Sequence, residues 1–161
     1  MQIGSNESLS STYGPLVEAL KSLFGDRLKT VVLFGSRARG DASSRSDHDL
    51  FVVIEGLPSD PVLRAKTVRR ALLDAPFHAN LMAKTPGEID LNLTPLLLDV
   101  CVDGICLYGE NYFENYRRKA LKALRESGLE RRQVGRELVW RFRRMPETEW
   151  ELTWEGFREL R

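Results

Sequence analysis

VVLFGSRARGDASSRSDHDLFVV, residues 31–53, closes one apolar run on Gly35-Ser36 and opens a second on Asp47-His48-Asp49. Both apolar runs are rich in β-branched and aromatic residues and read as strands, the first Leu28 to Phe34 and the second Asp47 to Ile54. A strand that ends in Gly-Ser and turns into a helix aims backbone N–H groups and a hydroxyl at one point, which suits a phosphate. Asp47 and Asp49 stand two apart in an extended segment, so their carboxylates project from the same face. Unneutralised, two such charges repel by roughly 1–4 kcal/mol at contact distance. A hard divalent cation, Mg²⁺ or Mn²⁺, removes that penalty and keeps positions open for water and phosphate.

The remaining elements extend outward from this pair of strands. A helix is expected from Tyr13 to Phe24, where Leu16, Ala19, Leu20 and Leu23 recur at helical spacing before Gly25. Gly35 to Arg39 begins a short helix, Pro61 starts another to about Leu73, and Phe77 to Ala83 is a third strand. A helical segment follows Thr85-Pro86-Gly87, with Pro95 interrupting or restarting it, and Ile105 to Tyr108 is a short strand. Together these make an α+β domain: a mixed β-sheet with helices packed on one side. Residues 1–110 are read as the core. Residues 111–161 are read as a basic extension, with a helix from Asn111 to Ser127 capped by Gly128 and a hairpin over Arg131 to Arg143. A short helix is expected at the C-terminal end.

Composition bounds the function. The chain of 161 residues has a net charge of +1, but Asn111 to Pro146 hold eleven Lys/Arg against four Glu, a local +7 that leaves −6 elsewhere. That asymmetry suits a polyanionic partner, or a helix and hairpin with solvated charged faces. Trp140, Trp150 and Trp154 suit base stacking, or the commoner task of anchoring a hairpin. The opening MQIGSNESLSS has no signal-peptide core and no apolar run reaches membrane-spanning length, so no membrane association and a cytoplasmic location are expected. Cys101 and Cys106 read as buried thiols.

With Phe34 before Gly35, Arg37-Ala38-Arg39-Gly40 after Ser36, and Ser46 before Asp47, the pattern Gly-Ser, ten residues, Asp-x-Asp resembles the minimal nucleotidyltransferases of the DNA polymerase β superfamily. The resemblance implies the nucleotidyltransferase fold and a metal-dependent enzyme. Its reaction is transfer of an NMP, AMP being expected, from an NTP such as ATP to a hydroxyl of a protein, RNA or small molecule. It further implies Asp47 and Asp49 as catalytic metal ligands for Mg²⁺ or Mn²⁺, and Gly35, Ser36, Arg37, Arg39 and Ser46 around the nucleotide. Arg37 and Arg39 suit triphosphate oxygens, or surface partners such as Asp41. His48 alternates away from the metal face and is expected to pack; His78 is a weaker candidate for the site.

Family members commonly add a third carboxylate from the next core strand, where this chain aligns Asn80. An amide cannot serve as a base, so the alternatives are a catalytically weak nucleotide-binding module and a nucleic-acid-binding protein on the same scaffold. Some relatives are antitoxins that adenylylate a HEPN-type toxin, which makes such a toxin, or an RNA acceptor, the expected partner.

Overall fold

The computed structural model describes residues 3–161, with side chains from Glu7 onward. The reading of the opening MQIGSNESLSS therefore lies in part outside the described residues. Four strands, β1 (Leu28–Phe34), β2 (His48–Ile54), β3 (Ala79–Lys84) and β4 (Ile105–Tyr108), form one sheet in the order β3-β2-β1-β4. β1 runs antiparallel to β2 and β4, while β2 and β3 are parallel, so the sheet is mixed as expected.

Helices cover both faces of this sheet, not one. Val31, Leu33, Leu50, Val52 and Ile54 pack against Tyr13, Leu16, Val17, Leu20 and Phe24 of α1 (Ile3–Phe24) and against Val68 of α3 (Pro61–Arg69). On the opposite face, Val32, Phe34, Phe51 and Val53 meet Ile89 of α4 (Pro86–Leu91), Leu97, Val100 and Cys101 of α5 (Pro95–Asp103), and Phe113, Ala120 and Ala123 of α6 (Glu110–Ser127). The reason is visible in the strands themselves: an uninterrupted apolar run buries both faces, whereas a strand with one wet face would alternate. Each such side chain, fully buried, contributes about 1.5–3 kcal/mol.

The connections follow local chemistry. Asp60 and Thr94 cap α3 and α5 through the amides of Leu63 and Leu97, with Pro61 and Pro95 in the first turns. Thr85 and Glu88 form a reciprocal capping box at α4. Pro95 thus starts a helix. Gly109 leads into α6 with φ 74°, pressed so close to the Lys29 carbonyl that any Cβ would overlap it.

No break in packing falls at Glu110, because the buried face of α6 belongs to the same apolar cluster as β1 and β2. Beyond Gly128 the chain forms two hairpins: β5 (Leu129–Val134) with β6 (Glu137–Phe142), and β7 (Trp150–Thr153) with β8 (Gly156–Glu159). The end helix is replaced by β8, since Phe157 pairs with Leu152 across a tight turn closed by Gly156 at φ 131°. Trp154 anchors the second hairpin by donating its indole N–H to the Ile89 carbonyl at 2.7 Å. Among the described residues no helix is long and apolar enough to cross a membrane.

Candidate active site

Gly35 ends β1 with φ 72°, a conformation that favours glycine, and precedes α2 (Ser36–Arg39). A methyl group on Gly35 would overlap Oδ2 of Asp49. The missing side chain therefore serves two ends, the turn and the close approach of a carboxylate. Across the sheet, Phe34, Asp49 and Asn80 lie in one row, paired β1 to β2 and β2 to β3. Asn80 Nδ2 stands 3.4 Å from Asp49 Oδ1, so the amide does face the carboxylate. Asp49 is half-buried between Gly35 and Asn80, while Asn80 and Asp47 are exposed.

Asp47 lies one residue ahead of β2, between two anchored neighbours. Before it, the Ser46 carbonyl accepts from Arg37 Nη2 at 2.8 Å, and the Ser46 hydroxyl accepts from the Ser43 amide at 3.0 Å. After it, the His48 amide donates to the His78 carbonyl at 2.9 Å, extending the β2–β3 ladder. Asp47 thus sits between two anchored residues, two positions ahead of Asp49.

The other expected residues divide in role. The Gly35 carbonyl accepts from the Ala38 and Arg39 amides, so the amides of Ser36 and Arg37 precede the first helical bond of α2. Arg37 turns beneath the Asp47 loop; its Nε is buried and has no protein partner. Arg39 reaches away to Asp41 at 3.1 Å and Asp103 at 3.2 Å. His48 packs on the α1 face, stacked on Phe77 at 4.2 Å and bonded through Nδ1 to the Tyr13 hydroxyl at 2.7 Å. Burial, followed by the Arg37 charge, holds its imidazole below the usual value.

The Asp49 carboxylate and the amide of Asn80 beside it offer oxygens of the kind a hard cation takes. Among the described residues no three His, Cys, Asp or Glu side chains gather into a complete metal cage. A groove of about 710 Å³ between α1 and β4 touches this neighbourhood through Tyr13. Cys101 is buried and its thiol is pushed up to about 12 by that burial, which makes it inert.

Sequence reading offered Asp41 as a partner of Arg39, which the structure shows, but missed Asp103. Asp103 and Arg131 are 28 residues apart, and no local pattern joins them. Part of the basic extension is neutralised from within. Arg132 and Arg143 pair with Glu130, Lys122 with Glu126, Arg144 with Glu147, and Arg158 with Glu151.

The chain is similar to several known proteins. A candidate protein adenylyltransferase of Methanocaldococcus jannaschii, MJ1305, is 29% identical over 114 residues, covering 67% of this chain and 78% of the relative. A second candidate protein adenylyltransferase of that organism, MJ0604, is 51% identical over 37 residues, 23% of this chain and 37% of the relative. The crystal structure of a toxin–antitoxin with AMP-PNP shares the fold, with a TM-score of 0.51 and 19% identity over 67% of this chain and 82% of that one. The family model for the nucleotidyltransferase domain matches residues 15–138, a span that holds the Gly35-Ser36 turn, both aspartates and the whole sheet, and the chain belongs to that family.

Proposed function

We propose that this nucleotidyltransferase moves AMP from ATP to a hydroxyl of a partner protein. The observation that carries this reading is the row across the sheet, in which Asp49 is wedged between Gly35 and Asn80 beside the anchored Asp47. Protein as the acceptor class and ATP as the donor are supported by the relative named a candidate protein adenylyltransferase and by the neighbour holding AMP-PNP. A toxin is the specific partner we favour, because that neighbour is a toxin–antitoxin; that it is HEPN-type rests on the family resemblance of the sequence alone.

In this reading the Ser36 and Arg37 amides and the Ser36 hydroxyl hold the β- and γ-phosphates, and Gly35 lets them approach the backbone. Asp47 and Asp49 would hold Mg²⁺ or Mn²⁺, which would supply charge neutralisation of the triphosphate and polarisation of the α-phosphate. The acceptor hydroxyl oxygen bonds to the α-phosphorus as the bond to the bridging oxygen breaks and pyrophosphate leaves. Positioning of donor and acceptor supplies much of the acceleration. Arg37 contributes by fixing the Ser46 carbonyl, hence the direction of Asp47.

Asn80 favours a second reading, a nucleotide-binding module with weak turnover. Its amide accepts no proton at neutral pH, which leaves a carboxylate or water to receive the one released by the acceptor. One experiment separates the two: incubation with labelled ATP, Mg²⁺ and a cell extract. Label on a protein supports transfer; binding without label supports the silent module, and label on RNA moves the acceptor to nucleic acid. Asp47→Ala/Asp49→Ala should abolish either signal.

A further inference from the structure

α2, the single turn of helix that follows Gly35, is tied at its far end to the C-terminal hairpin. Arg39 Nη1 donates to Asp103 Oδ2 at 3.2 Å. Asp103, at the end of α5 with its side chain 6% exposed, also receives a two-pronged bond from Arg131 of β5, 2.7 Å at each oxygen. Arg131 reaches on to Asp99 at 3.2 Å, lies 5.5 Å over the Trp140 ring of β6, and Trp140 donates its indole N–H to the same Asp99 oxygen at 3.0 Å. The chain of contacts therefore runs from β6 and β5 through α5 to the last residue of α2. Every link is charge-assisted or planar, so it constrains orientation as well as distance.

We propose that Arg131 is a positioning residue for the nucleotide turn, acting through Asp103 on Arg39, so that the β5–β6 hairpin sets how well the chain holds ATP. The inference rests on the reading of Gly35-Ser36 as the phosphate turn. α2 is four residues long, too short to hold itself. Its N-terminal end is fixed by β1; beyond that it is held by Ala38 against the apolar cluster, by the Arg37 bond to the Ser46 carbonyl, and, at its last residue, by Arg39. A small displacement of such a turn is expensive in binding, because the amides must meet phosphate oxygens within hydrogen-bond distance. Asp41 alone, exposed and two residues from Arg39, cannot register α2 against the rest of the fold.

The test uses the full chain and two readouts: calorimetric titration with ATP in Mg²⁺, and hydrogen exchange of amides 36–41 without nucleotide. Arg131→Ala should weaken ATP binding by about 5–20-fold, the lower part of the usual range for coupling between sites, and should speed exchange in α2. Arg39→Ala should do the same, and the double variant should be little worse than either, since both act through one path. Arg131→Lys should recover part of the loss. Arg132→Ala, which removes only an exposed partner of Glu130, should match wild type. Should Arg131→Ala fail to fold, Asp99→Asn loosens the same guanidinium and should give a smaller loss of the same sign. Wild-type affinity and unchanged exchange in the Arg131 or Asp99 variants would overturn the proposal. If wild type itself does not bind ATP, the reading of the turn fails instead, and the nucleotide-free exchange measurement still decides whether hairpin and turn are coupled.

Discussion

Two pairs of aspartates flank α2, and they are treated in opposite ways. Asp99 and Asp103 are met by Arg131, Arg39 and the Trp140 indole, with bonds of 2.7–3.2 Å. Among the described residues Asp47 and Asp49 have no ion-pair partner; what faces Asp49 is an amide and a bare glycine. The same residue type in the same neighbourhood is neutralised where it builds the fold and left with unspent charge where it is open to solvent. A carboxylate pair without a protein cation invites one from outside.

The largest effect should come from the unpaired side. Asp49→Ala should lower transfer by about 10²–10³-fold or more, the range seen when one preorganised electrostatic group is removed from a reaction centre, and should abolish Mg²⁺-dependent ATP binding. Calorimetry and label transfer check both, and retention of either would erase the contrast. Asn80→Asp should raise transfer, by up to about 10²–10⁴-fold if the new carboxylate serves as a base, and should lower the melting temperature measured without metal, where it adds a third negative charge. A melting temperature unchanged by Asn80→Asp would place that side chain outside the field of Asp47 and Asp49.

Gly35→Ala should destabilise the fold by about 1–3 kcal/mol through its positive φ, with a further loss of ATP binding as the methyl displaces Asp49. Denaturant melts read the first and calorimetry the second. The paired side should respond to acid. Burial raises the Asp103 carboxyl, but Arg131 and Arg39 outweigh it and hold the group below its ordinary 3.8. Bonding to Arg64 draws Glu88 down to about 2 from 4.5. A carboxyl depressed in the folded state stabilises above its unfolded value and loses that contribution as pH falls through the folded one. Stability should therefore decline from about pH 4.5 downward, as these two groups begin to take up protons in the unfolded state. Arg64→Ala should flatten the Glu88 part of that decline in melts between pH 5 and 2. The smallest effect is expected at Arg132→Ala, within about 1 kcal/mol, as for exposed ion pairs generally.

Much of this arrangement was legible in the chain because it is local. The Gly-Ser turn, the Asp-x-Asp spacing, the two apolar strands and the proline-started helices are each written within a few residues. Alternation correctly turned His48 away from Asp49, onto Tyr13 and Phe77. Register, which pairs Asp49 with Asn80 over 31 residues, needed only the family pattern to be anticipated. The second covered face of the sheet was missed although its cause was in view: Val52 and Val53 are both apolar and both buried, a pattern with no wet side. The end of the chain misled for the opposite reason. Gly156 to Glu159 is too short to carry a period, and pairing with Trp150–Thr153 decides its conformation. The Arg39–Asp103–Arg131 link is purely tertiary, and residues chosen for phosphate contact by their proximity to Ser36 turn out to differ in direction.

The most direct test of the central claim is an ATP titration of the full chain followed calorimetrically with and without Mg²⁺, for wild type and Asp47→Ala/Asp49→Ala side by side. The account predicts binding by wild type that depends on Mg²⁺ and disappears in the double variant. Equal affinity in both proteins, independent of metal, would contradict it.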